Sequence, residues 1–365
     1  MLLRKKILVA PLNWGLGHAT RVIPIIRELI IHEAEVIIAA DGRALELLRK
    51  EFPLLKWIRL QGFEIQYDEK RSLPLQLMLQ LPKFIRSIFA EQKQLDKIID
   101  DERIHAVIAD NCYGLHSKKI PCIFITHQTG IIVPKSIKWT ATFLNRINHF
   151  LISKFDACWI PDFEGENNLS GALSHKYQLP GKASFIGPLS RFTFQESNKK
   201  YDLVIVLSGP EPQRTALERI VVEQVNHFIH QAENSSFMVL LVRGIPEGSN
   251  QVTVHELNFS QADYLPAEEL NDAILSSKMI LSRPGYSTVM DLATLGSKAI
   301  FIPTPGQTEQ EYLAEYLMKK KIFYAENQQS FNLQRALYAG ADYSGIQVNG
   351  NLQWLELLTE LLDEN

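Results

Sequence analysis

Residues 281–317 read LSRPGYSTVMDLATLGSKAIFIPTPGQTEQEYLAEYL, short apolar runs set between three polar, turn-forming junctions. That alternation confines the chain to strand, loop and helix in succession. Residues 278–281 suit a short buried strand, and Ser282-Arg283-Pro284-Gly285 breaks it before a helical pattern carried by Val289, Leu292, Ala293 and Leu295. Gly285 lets the backbone approach a ligand closely, and the first turn of the following helix presents N–H groups to an anion. Tyr286, Ser287 and Thr288 lie in that turn, where two hydroxyls add donors for a phosphate. Asp291 follows about one helical turn later and can accept hydrogen bonds from ligand hydroxyls. Gly296 closes the helix, residues 299–302 read as the next strand, and Pro303-Thr304-Pro305-Gly306 turns into a helix opening with Gln307, Glu309, Gln310 and Glu311. Together these groups suit a diphosphate, a ribose and a sugar. An ordinary strand-helix-strand unit with capped helices fits the same local pattern.

The stretch resembles the donor-binding half of GT-B glycosyltransferases, closest to family 28, which includes the N-acetylglucosaminyltransferase of peptidoglycan lipid-intermediate synthesis. The shared pattern is Arg-x-Gly-x-x-Thr-x-x-acidic, here Arg283, Gly285, Thr288 and Asp291, then a Gly, an apolar strand ending in Pro, and a Gln-rich helix start. The resemblance implies that Asp291 binds the ribose hydroxyls, Ser287 and Thr288 the diphosphate, and Gln310 with Glu311 the donor sugar. Two departures separate the chain from that enzyme: Glu311 stands in place of a second Gln, and Ala314-Glu315 in place of Asn-Ala. The same donor sugar does not follow.

The chain has 365 residues, enough for two domains with separate cores. A net charge of -3 offers no field for nucleic acid, and 46% hydrophobic with 22% charged residues describes a globular protein. Cys112, Cys122 and Cys158 are odd in number and lack zinc-ligand spacing, so a reduced, intracellular protein is expected. The first ten residues carry Arg4, Lys5 and Lys6 before an apolar run too short for a signal peptide or a span, and read as a first strand.

Residues 7–10 form that strand, and Gly15-x-Gly17-His18 lies in the loop before an apolar helix with Val22, Ile25, Ile26, Leu29 and Ile30. A loop after the first strand of a parallel sheet sits at the carboxyl edge, where such folds bind ligands. It lacks the third glycine of a dinucleotide fingerprint. Pro24, just beyond the first turn, predicts a local distortion. The loop is similar to the Gly-x-Gly-His-x-x-Arg pattern of several GT-B enzymes, with Gly15, Gly17, His18 and Arg21 on the acceptor side. By that resemblance His18 is the general base; by itself it reads first as a turn-capping histidine.

Further strands are expected at 35–40, 57–60, 105–109, 121–126, 155–160 and 183–186, with Asp41 capping a helix over 43–50. In a doubly wound sheet the strand after the first reversal lies beside the first strand, which brings Asp110 near His18. A carboxylate there fixes the imidazole tautomer and stabilises the imidazolium. The pairing is similar to that used by plant members of the superfamily. His127-Gln128-Thr129-Gly130 resembles the segment of the peptidoglycan enzyme that helps place acceptor or diphosphate, with only His127 matching. Residues 73–89 are apolar with Lys83 and Arg86 interspersed; a helix touching a membrane and one packed beneath a loop both fit, and Pro74 and Pro82 favour the second.

Past the polar run 195–200, taken as the interdomain linker, residues 203–207 restart the strand pattern. Ser208, Gly209 and Arg214 sit in the next loop, which in the family contacts the phosphate side; Pro210 and Pro212 depart from it. Tyr264 and Leu265 precede the helix 267–277, where the family holds uracil through backbone groups, so uridine is implied by resemblance alone. The last helix, 352–362, is one that GT-B proteins often return to the first domain.

The resulting expectation is an α/β protein of GT-B type, two Rossmann-like doubly wound domains facing a cleft: 1–196 on the acceptor side and 197–365 for the nucleotide-sugar. It acts as an inverting, cytoplasmic transferase, peripheral at the inner membrane face if the acceptor is lipid-linked rather than small. No Asp-x-Asp occurs, so no metal or other cofactor is expected. A nucleotide-sugar hydrolase or epimerase, and a catalytically silent nucleotide-sugar-binding protein, remain the alternatives.

Overall fold

A computed structural model describes residues 4–13, 16–60, 62, 73–133, 139–177, 182–245, 248–256, 258–346 and 352–363, without the side chains of 73–81 and 255. The chain forms two compact units, one of Met1–Leu189 with Gly350–Asn365, the other of Ser190–Asn349.

The first unit runs β1 (Lys6–Pro11), α1 (Leu16–Ile31), β2 (Glu35–Ala40), α2 (Gly42–Glu51), β3 (Lys56–Arg59), α3 (Leu73–Glu102), β4 (Ala106–Asp110), β5 (Cys122–Ile125), α4 (Ala141–Ile152), β6 (Ala157–Ile160), α5 (Ala172–His175) and β7 (Ala183–Phe185). Its seven strands lie in the order β3-β2-β1-β4-β5-β6-β7 and pair in parallel. Strands such as Leu8–Ala10 and Val107–Ala109 are buried on both faces, which is why they read as unbroken apolar runs rather than alternating ones. The order reverses at β1, whose Pro11 is in register with Asp110 of β4. Asp41 caps α2 by accepting from the Gly42 N–H. The distortion expected at Pro24 does not break α1, which runs through it. Val22, Ile23, Ile25, Ile26 and Leu29 are fully buried there, and that burial exceeds the roughly 3 kcal/mol a helical proline costs.

The second unit runs β8 (Tyr201–Val206), α6 (Gln213–Ile229), β9 (Val239–Val242), β10 (Thr253–Glu256), β11 (Phe259–Ala262), α7 (Ala267–Leu275), β12 (Ser277–Ser282), α8 (Tyr286–Leu295), β13 (Ala299–Phe301), α9 (Thr308–Lys319), β14 (Tyr324–Ala325) and α10 (Leu333–Gly340). The strand order is β10-β11-β9-β8-β12-β13-β14, parallel except for the edge pair β10-β11. α8 begins at Gly285 and ends at Gly296, whose φ of 61° is the left-handed cap that lets Ser297 N–H reach back to Leu292 C=O. The polar run 195–200 lies against this unit, where Gln195 binds Asp272 and Lys199 binds the Leu275 carbonyl. The final helix, α11 (Gln353–Asp363), belongs to the first unit, where the Leu361 carbonyl accepts from Lys5 at 2.9 Å.

Candidate active site

In the first unit, β1 and β4 end side by side, and α1 starts directly above them. This brings His18 Nδ1 to 3.0 Å from Asp110 Oδ1. Asp110 is fully buried, and burial alone would raise its pKa; Arg21 and His18 outweigh that and hold it near 2, so it is a carboxylate at neutral pH. Arg21, one turn along α1 from His18, lies between the other three groups. Its Nε donates to Asp110 Oδ2 at 2.7 Å, Nη2 to Asp110 Oδ1, and Nη1 contacts His127 Nδ1 at 3.0 Å. Nη2 also lies 2.8 Å from His18 Nδ1.

Hydrogen-bond chemistry restricts the protons. An arginine only donates, so His127 Nδ1 accepts and its proton sits on Nε2. His18 Nδ1 cannot donate to Asp110 and accept from Arg21 at once. With the proton on Nδ1 and directed at Asp110, Nε2 keeps a lone pair and is a base. Asp110 thus faces both the permanent cation of Arg21 and the imidazole of His18. Among the remaining acceptor-side residues, Gly17 lies in the first turn of α1, where its carbonyl accepts from Thr20 Oγ1, and Gly15 lies outside the described residues.

α4 holds the segment after β5 by side chain to backbone. Asn145 accepts from Ile131 N–H at 2.7 Å, Asn148 donates to the carbonyls of Gln128 and Thr129, and His149 Nε2 is 2.9 Å from the Thr129 carbonyl. These three residues were not singled out from the sequence. Their signal was there: two asparagines three apart inside an apolar helix, both buried.

In the second unit, β12 delivers Arg283 and Gly285 to the head of α8. The N-cap of that helix is Gly285, and a Cβ there would meet only Thr288 Oγ1, at 3.8 Å. Gly285 has an ordinary φ of -67°, so what marks the position is open space rather than backbone strain. Ser287 and Thr288 are half-buried in the first turn. Asp291 is half-buried too; desolvation raises its carboxyl to about 6, against the opposing pull of Arg191 and of Ser190, whose hydroxyl donates to Oδ1 at 2.6 Å. Tyr264, half-buried, and Leu265, buried, precede the first turn of α7. Ser208 and Gly209 are exposed.

Other predicted donor residues have internal partners. Arg214 binds Glu211, Glu218 and the Arg243 carbonyl, and Arg243 continues the chain of charges to Asp263. Gln310 Oε1 accepts from Thr304 N–H and Glu311 Oε1 from Gly306 N–H, both at 2.8 Å, so these side chains shape the turn before α9. Arg283, almost wholly buried, ties this turn to α6 by donating to the carbonyls of Ile302, Pro303 and Gln213. Its role as an anchor was missed in the sequence, where it read as part of a break and as the first residue of the shared pattern.

The three cysteines are buried and free. Among the described residues no group of three or more His, Cys, Asp or Glu side chains is gathered to hold a metal ion, and no helix is long and apolar enough to cross a membrane.

Comparison with known proteins agrees with this architecture. Residues 203–342 match the glycosyltransferase family 28 C-terminal domain, and residues 5–145 match a glycosyl transferase family 1 model. An uncharacterized glycosyltransferase of Methanosarcina acetivorans is 23% identical over 337 residues, 86% of this chain and 81% of that protein. The UDP-N-acetylglucosamine--N-acetylmuramyl-(pentapeptide) pyrophosphoryl-undecaprenol N-acetylglucosamine transferase of Rickettsia akari is 23% identical over 344 residues, 87% of this chain and 84% of that protein. The crystal structure of the kitacinnamycin glycotransferase aligns over 99% of this chain and 94% of its own, with a TM-score of 0.64 at 13% identity, which gives the fold as GT-B.

Proposed function

We propose that this glycosyltransferase, whose residues 203–342 match the family 28 C-terminal domain, moves a sugar from UDP to a hydroxyl acceptor with inversion at the anomeric carbon. The observation that carries the reading is the His18–Asp110 contact at the carboxyl ends of β1 and β4, a half-buried base with its fully buried orienting carboxylate. His18 Nε2 takes the proton of the acceptor hydroxyl as its oxygen attacks the anomeric carbon, and the resulting imidazolium is stabilised through Nδ1–H by Asp110. Attack on the face opposite the leaving diphosphate inverts the configuration. The first turn of α8, with Ser287 and Thr288, hydrogen-bonds the charge that builds on the diphosphate. Asp291 accepts from the ribose hydroxyls. Charge stabilisation by a helix terminus, with no Asp-x-Asp in the sequence, supports a reaction that needs no divalent cation.

A lipid-linked acceptor, of the kind in the Rickettsia enzyme's name, is consistent with exposed aromatic groups on the first unit. Phe143 and Phe150 share a face of α4, Trp139 precedes it, and all three are more than half exposed. The test is incubation of purified protein with a panel of UDP-sugars and a polyprenyl-pyrophosphate glycolipid, product configuration being read by NMR. A β-linked product from an α-linked donor, formed equally in EDTA, is expected. A retained configuration would overturn the mechanism, activity lost to chelator would overturn the metal-free reading, and donor consumed without acceptor would point to hydrolysis.

A further inference from the structure

We propose that Ser190 is a built-in competitor of the donor, its hydroxyl holding the Asp291 oxygen that a ribose takes. The proposal rests on the reading of Asp291 as the ribose acceptor. Ser190 is the first residue of the second unit, and its Oγ accepts from Phe192 N–H at 3.1 Å while donating to Asp291 Oδ1 at 2.6 Å. The segment that carries it is anchored independently. Phe192 is buried, and Asn271 pairs with both backbone groups of Thr193, at 3.1 and 3.2 Å. The hydroxyl is therefore delivered to Asp291 by a fixed stretch of chain, not drawn there by the carboxylate alone.

A vicinal diol binds a carboxylate best through two donors, one to each oxygen, which requires the carboxylate plane to turn toward the diol. The Ser190 bond pins one oxygen and with it that plane. In the ligand-free protein the bond satisfies a carboxylate whose desolvation is costly, as a ribose hydroxyl would. When the nucleotide arrives, one bond of this type is exchanged for another and the net gain is small. Ser190 thus weakens donor binding and eases release of the nucleoside diphosphate after transfer.

The test is calorimetric titration of the full-length protein with UDP and with 2′,3′-dideoxyuridine diphosphate. Ser190→Ala is expected to tighten UDP roughly tenfold, the scale of one charge-assisted hydrogen bond, and to leave the dideoxy compound unchanged. Ser190→Thr, which keeps the hydroxyl, is expected to bind as the wild type does. UDP binding that is unchanged or weakened in Ser190→Ala, while Asp291→Asn abolishes it, would overturn the competition and leave the ribose reading intact. UDP binding that survives Asp291→Asn would overturn both. A tightening that extends to the dideoxy compound would also defeat the proposal, because the gain would then not come from ribose hydroxyls.

Discussion

Two carboxylates with opposite environments define the residue scale. Asp110 is depressed to about 2 from 3.8, so its contribution to stability is complete above the unfolded value and is lost as pH falls through 2. Replacing it with Asn leaves the Arg21 guanidinium buried without its counter-charge, a loss of about 3–5 kcal/mol in chemical denaturation. His18→Ala should keep UDP affinity and lower kcat by about 10²–10⁴-fold. The two substitutions combined should cost far less than the product of the single effects in kcat if the pair acts as one unit, as proposed; multiplicative losses would separate Asp110 from His18. Asp291 is raised to about 6, so the native state binds more protons than the unfolded chain between roughly 4 and 6, and stability falls as pH rises through that window. Asp291→Asn should therefore be more stable than wild type at pH 8, by about 1–3 kcal/mol, with the difference vanishing below pH 4. The same variant should show no UDP-induced thermal shift. Equal stability of the two proteins at pH 8 would mean that the carboxylate is solvated. Neither the Arg21 bridge nor the Ser190 bond was legible in the sequence, because their partners lie 89 and 101 residues away and nothing local encodes the meeting.

At the scale of elements the sequence was more informative. Apolar runs located β1, β4, β8 and β12, and doubly wound order put Asp110 beside the loop that carries His18. Side-chain duties were harder to read, because a Gln or Glu at a helix start serves a turn as well as a sugar, and Gln310 and Glu311 each have one oxygen on the turn. α4 shows the same limit from the other side. It was not read from the sequence at all, and its buried asparagines are what fix the segment 128–131. Asn145→Ala leaves the Ile131 N–H without its side-chain acceptor and should destabilise by about 1–3 kcal/mol. Hydrogen exchange at the Ile131 amide should accelerate well before that of the β5 amides. Exchange unchanged at Ile131 would show that the segment holds its shape without α4.

For the molecule as a whole, the decisive fact is that the chain returns to its first unit after completing the second. α11 buries Trp354, Leu358 and Leu361, and Trp354 N–H reaches the Ile186 carbonyl. That helix is amphipathic in sequence, so its burial was legible; which unit buries it was inferred only from resemblance, since an apolar stripe does not name its partner. The five tryptophans stand at 14, 57, 139, 159 and 354, and none falls within 190–349. Tryptophan emission therefore follows the first unit, while circular dichroism follows both. Leu358→Ala removes a fully buried side chain and should cost that unit about 2–5 kcal/mol. The fluorescence midpoint in urea should fall accordingly, and the gain in the circular dichroism transition that the proposed binding of UDP to the second unit predicts should persist. If the fluorescence midpoint did not move, α11 would be a passenger on the first unit. If both transitions fell together by the same amount, the two units would unfold as one cooperative block, and the return of the chain would carry stability from one to the other.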